Sequence, residues 1–129
     1  MWPDYALFPS IGTFVDETAF KKQLIKEYLK QPYGYKKVFE IENAMEPGMP
    51  DLLLIEHGNG AIFVETKYAE NEVIYFKKTQ PPWYMRNITL PILIIAYNDL
   101  TKNMHSITAK HLLSKMKGRK FRLKKENEI

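Results

Sequence analysis

The sequence predicts an α/β protein, a mixed β-sheet flanked by helices, and three observations carry that prediction. "DLLLIE" and "AIFVETK" are apolar runs joined by the glycine-rich "HGNG", a strong hairpin signal. "LPILIIAY" is apolar without alternation, as expected of a strand covered on both faces. "TFVDETAFKKQLIKEYLK" repeats its apolar residues at helical spacing, with Phe20, Leu24, Ile25, Tyr28 and Leu29 forming one stripe.

Residues 1–12 are rich in proline and aromatic side chains and read as an irregular N-terminal arm packed on the domain. In the first helix Thr13 and Asp16 suit a capping box, and Pro32 and Gly34 end it. "KKVFEIENA" alternates as a strand, with Val38, Glu40 and Glu42 on one face and Phe39 and Ile41 on the other. "EPGMP" turns the chain into the hairpin. "NEVIYFKKTQPPWYMRN" reads as a loop and a short helix, Pro81 or Pro82 suiting the first helical turn. After the buried strand, "MHSIT" reads as a short strand and "AKHLLSKMK" as a helix ended by Gly118. The order αβββαβ(β)α sandwiches a mixed sheet between helices.

At 129 residues the chain suits a single domain, long enough for one real core. The absence of cysteine excludes disulfides and thiolate metal sites and fits a reducing compartment. "MWPDYALFPS" lacks the charged and apolar regions of a signal peptide, and no apolar run approaches the ~20 residues of a membrane helix. A cytoplasmic protein with no membrane partner is expected. The net charge of +4 is unevenly placed, because seven Lys or Arg from Lys115 onward face only Glu126 and Glu128. Residues 115–129 therefore form a basic C-terminal tail, either a solvated segment or a phosphate-tracking patch.

The hairpin carries three charges. Glu65 and Lys67 point to the same face of their strand and Thr66 points away. Centring the turn on Gly58 sets Asp51 opposite Glu65, Leu53 opposite Phe63 and Ile55 opposite Ala61. Directly opposed residues have Cβ atoms about 4.5–5.5 Å apart, so two carboxylates would repel unless a divalent cation took both as ligands. Glu17 lies within about 30° of the centre of the first helix's apolar stripe and, being in the first turn, could reach past the core edge toward that pair. A first-turn Glu also favours the helix dipole without any partner.

Asp51 after Pro50, then Glu65-Thr66-Lys67 on the next strand and Gln80 downstream, resembles the PD-(D/E)XK nuclease superfamily. "GMPDLLLI…IFVETK" is most similar to its VRR-NUC and phage Holliday-junction-resolvase branches, over roughly Asp16 to Tyr97. The resemblance implies a restriction-endonuclease-like αβββαβ core and one nuclease domain over residues 1–129. It implies that Asp51, Glu65 and the backbone carbonyl of Thr66 bind Mg²⁺, with Mn²⁺ able to substitute, and that Glu17 supports the metal directly or through water. Lys67 would orient the attacking water and stabilise the transition state, with Gln80 beside it. Gln80 departs from the family pattern in being followed by Pro81-Pro82. The implied function is a Mg²⁺-dependent endonuclease of branched DNA, such as Holliday junctions, in recombination, repair or phage DNA processing. Paired cuts in a four-way junction imply a homodimer. A non-catalytic nucleic-acid-binding module and a restriction or nicking nuclease are the alternatives.

Lys77, Lys78 and Arg86 flank the expected cleft, and Lys117, Arg119, Lys120, Arg122, Lys124 and Lys125 supply the tail's charge. All are candidate phosphate contacts. Trp83 and Tyr84 suit core closure or base stacking. His57, His105 and His111 have no metal-ligand spacing and read as structural or solvated. Neither a Walker loop nor a G-x-S-x-G elbow occurs.

Overall fold

The computed structural model describes residues 2–30, 36–41, 46–56 and 60–123. Pro32, Gly34, Glu42, His57, Gly58, Lys124 and Lys125 lie outside the described residues. The elements are β1 (Tyr5–Phe8), α1 (Glu17–Lys30), β2 (Lys36–Glu40), β3 (Leu52–Glu56), β4 (Gly60–Ala69), β5 (Val73–Tyr75), α2 (Gln80–Arg86), β6 (Ile92–Asn98), β7 (Met104–Thr108), α3 (Ala109–Lys115) and β8 (Lys120–Arg122). Six strands form one mixed sheet in the order β1-β7-β6-β4-β3-β2, and β5 pairs with β8 in a small second sheet. The β4–β6 pair is parallel and the other neighbours are antiparallel.

Every residue of β6 is buried, as its unbroken apolar run predicts. Its alternate side chains feed two cores. Ile92, Ile94 and Ala96 join Trp83, Tyr84, Leu112 and Phe121 on one face of the sheet. Leu93, Ile95 and Tyr97 join Phe20, Leu52 and Val64 on the other, with Leu24, Ile25 and Tyr28 of α1 packed against them. Leu29 falls outside the predicted stripe and is exposed, because it stands about 180° from Phe20 at helical periodicity. Trp83 and Tyr84 close the core. They are 2% and 0% exposed, and the Trp83 indole donates to Glu46 at 2.6 Å.

Four local expectations change. The N-terminal arm is not irregular throughout, because Tyr5–Phe8 pair with β7 as an edge strand and the Tyr5 ring enters the core. The cap of α1 is Asp16 rather than Thr13, its Oδ1 accepting from the Ala19 amide at 2.8 Å. Phe14, between the two, packs against Phe20 and Tyr97, so tertiary contact holds the chain out of the helix there. The α3 helix starts under a Thr108 cap and ends at Lys115, before Gly118. The loop after β4 contains β5, and its partner β8 lies inside the segment read as a tail, where Phe121 and Leu123 are buried. No helix among the described residues is long and apolar enough to cross a membrane.

Candidate active site

The hairpin register is as predicted, with Leu53 paired to Phe63 and Ile55 to Ala61. The ladder ends at Leu52 and Val64, whereas β4 runs on to Ala69. Beyond that point the β3-side edge of β4 has no strand partner among the described residues, and Asp51 fills the first place along it. Asp51 Oδ1 accepts from the Thr66 amide at 3.2 Å, and Oδ2 accepts from the Thr66 hydroxyl at 3.0 Å. Thr66 thus touches the site with its side chain, where alternation alone turned it away. A chain that leaves the ladder at Pro50 lets a carboxylate take the place of a backbone acceptor.

Glu65 and Lys67 share the face of β4 opposite α1. Lys67 Nζ lies 3.7 Å from Glu65 Oε2 and donates to Gln80 Oε1 at 3.0 Å. It also sits 4.7 Å from the centroid of the Phe76 ring. The same Gln80 oxygen accepts from the Lys77 amide at 2.9 Å. Gln80 is the first residue of α2, and Pro81 and Pro82 follow it within the first turn, where a missing N–H costs nothing. The double proline therefore builds the helix start that aims Gln80 into the cleft.

Burial, reinforced by the negative charge of Asp51, pushes the Glu65 carboxyl up to about 7, while Lys67 and a hydrogen bond from Gln80 oppose that rise. Glu17 is raised by the same two causes, burial first and Asp51 second. Its field partners are Asp51, Lys67, Lys21 and Lys77, which places it at this cleft from the first turn of α1. The Tyr84 hydroxyl is buried with no hydrogen-bond partner among the described residues, and desolvation together with Glu65 and Asp51 pushes its ionisation up.

Lys21 was missed by sequence reasoning. Its Nζ lies 3.4 Å from Asp51 Oδ2. The signal was present, because Lys21 stands about 20° from Tyr28 on the helical wheel and one turn beyond Glu17. Among the DNA-contact candidates, Lys77, Arg119 and Lys120 gather around Lys67 in one recess. Lys78, Lys117 and Arg122 are exposed on the surface. Arg86 closes the far end of α2, about 9 Å along the helix from Gln80, and is not brought to the cleft. His105 and His111 are buried, and the Tyr5 hydroxyl lies 2.7 Å from His105 Nδ1, which fits a structural role.

Among the described residues no three His, Cys, Asp or Glu side chains gather into a metal-holding group, so Glu17 does not close with Asp51 and Glu65 into such a cluster. The chemistry of Asp51 and Glu65 nevertheless suits a hard cation, because both are oxygen donors and the negative charge of Asp51 disfavours ionisation of Glu65. Comparison of the chain with family models, with curated proteins and with solved structures gives no match in any of the three.

Proposed function

We propose that the chain is a Mg²⁺-dependent DNA endonuclease with a restriction-endonuclease-like core, acting on branched DNA in the cytoplasm. The observation that carries this reading is Lys67 held between Gln80, at 3.0 Å, and Glu65, at 3.7 Å, with the charge of Asp51 acting on Glu65. The run α1, β2, β3, β4, α2, β6, with β5 as an insertion, matches the expected αβββαβ order and supports it further. Asp51, Glu65 and the Thr66 carbonyl would hold the metal, with Glu17 assisting through water. When bound, Mg²⁺ would neutralise the carboxylate pair and supply Lewis-acid activation for attack on phosphorus.

The protein's own groups do the rest. Lys67 Nζ, fixed by Gln80 and by the Phe76 ring, orients the attacking water and offers positive charge as negative charge builds on the phosphate. Glu65, on the same face, keeps that amine aligned. The water oxygen bonds to phosphorus and the bond to the 3′ oxygen breaks, leaving a 5′-phosphate and a 3′-hydroxyl. One proton of the water ends on the 3′ oxygen and the other passes to solvent. Symmetric cleavage of a four-way junction needs two such sites, which a homodimer would supply.

The test is cleavage of labelled four-way junction, flap, single strand and linear duplex, with Mg²⁺ or with EDTA. Cleavage with Mg²⁺, abolished by EDTA and lowered about 100- to 1000-fold by Lys67→Ala, is expected. No cleavage of any substrate with any divalent metal would leave a binding module. Equal activity of the Lys67→Ala variant would remove the mechanism.

A further inference from the structure

Beside Lys67 the chain builds a recess of about 490 Å³ lined by Lys67, Tyr75, Phe76, Lys77, Arg119 and Lys120. Most of its wall is the β5–β8 ribbon and the residues flanking it. Ile74 and Phe121 pair across that ribbon and are buried in the main core, which anchors it. Alternation then turns Tyr75 and its cross-strand partner Lys120 outward. Tyr75 is 58% exposed, the most exposed aromatic ring among the described residues. Lys120 Nζ stands 5.7 Å from its centroid. Folding gives no reason to expose this ring, because the flanking Ile74 and Phe76 already bury the strand's apolar side. Glu72 lies at the opposite end of the ribbon, before the Val73–Arg122 pair, so the Tyr75 end is basic.

An exposed ring among basic side chains is the chemistry that receives an unpaired nucleotide, the base on the π-face and its phosphates on the cations. We infer that the β5–β8 ribbon is a single-strand grip: Tyr75 stacks on an unpaired base next to the cleaved phosphate, while Lys77, Arg119 and Lys120 hold the strand. This rests on the nuclease reading and sharpens its substrate. Bases inside a continuous duplex have both faces covered by their neighbours, so the grip selects DNA with a splayed strand or flap over fully paired DNA.

Fluorescence anisotropy of the full chain in EDTA tests this, using a labelled 20-nucleotide single strand and the same strand in duplex. Tyr75→Ala should weaken single-strand binding about 10-fold, the scale of one lost base stack, and change duplex binding less than about twofold. Tyr75→Trp should restore it. Lys120→Ala should weaken binding to both and reduce the salt slope by about one. Equal losses on strand and duplex, undetectable single-strand binding, or an unaffected Tyr75→Ala variant would overturn the grip. Since binding is read without metal, a chain that cuts nothing yet shows Tyr75-dependent strand binding would overturn the nuclease reading alone. Flap cleavage untouched by Tyr75→Ala would overturn the grip alone.

Discussion

Gln80 ties three parts of the cleft together, because its side-chain oxygen accepts from both Lys67 Nζ and the Lys77 amide, and its amide reaches Glu65. Removing it takes the acceptor from two part-buried donors, Lys67 Nζ and the Lys77 amide. Gln80→Ala is therefore expected to cost about 1–3 kcal/mol in urea unfolding and to lower cleavage through misplacement of Lys67. A variant with wild-type stability would show that the bonds contribute nothing net. Asp51, one residue beyond the ladder, turns its carboxylate to Thr66 and Lys21. The shared face of Glu65 and Lys67 was legible in the sequence because strand alternation fixes where they point. Lys21 and the Thr66 hydroxyl were not, because their partner Asp51 is supplied by an adjoining element, and local pattern carries no information about which element that is.

At the scale of elements, the segment before Asp51 is held against the start of α2. Gly48 has φ +92°, and a Cβ there would fall within the Thr79 carbonyl and against the Trp83 side chain. Gly48→Ala must shift either the Pro50-Asp51 corner or the helix that carries Gln80. The expected outcome is a thermal midpoint lowered by several degrees together with reduced cleavage, checked by calorimetry and the junction assay. Thr108→Ala provides a contrast, since it removes the α3 cap far along the chain from the cleft. It should cost about 1 kcal/mol and leave the cleavage rate of folded protein unchanged. Long elements such as α1, β4 and β6 were readable because periodicity accumulates over many residues. The short strands β1, β5 and β8 were not, because three or four residues carry too little pattern and their pairing partners lie far along the chain.

For the molecule as a whole, two buried titrations oppose each other. Glu65 is pushed up to about 7 from its ordinary 4.5, so the native state keeps a proton that the unfolded chain releases. That contribution is fully present below pH 4.5 and is lost as pH rises through 7. His105 is lowered by burial to about 4 from 6.5, so its contribution is fully present above pH 6.5 and is lost as pH falls through 4. In metal-free protein the two effects offset between pH 4.5 and 6.5 and the raised Glu17 adds to the Glu65 side, so a thermal midpoint that does not rise with pH is expected across that window. Glu65→Gln should unmask a midpoint that rises with pH there; an unchanged profile would contradict the placement of Glu65. If the proposed metal site is right, added Mg²⁺ should stabilise the wild type more at pH 8 than at pH 5, because it would bind the charged carboxylates. By itself the sequence determined the α/β class, the hairpin register and the shared face of Glu65 and Lys67, all consequences of local periodicity. Gln80 beside Lys67 was expected from the family resemblance, and only the tertiary structure decided that Lys21 and the β5–β8 ribbon meet the site. Those contacts join elements distant in the chain, and burial of two apolar cores sets where such elements pack.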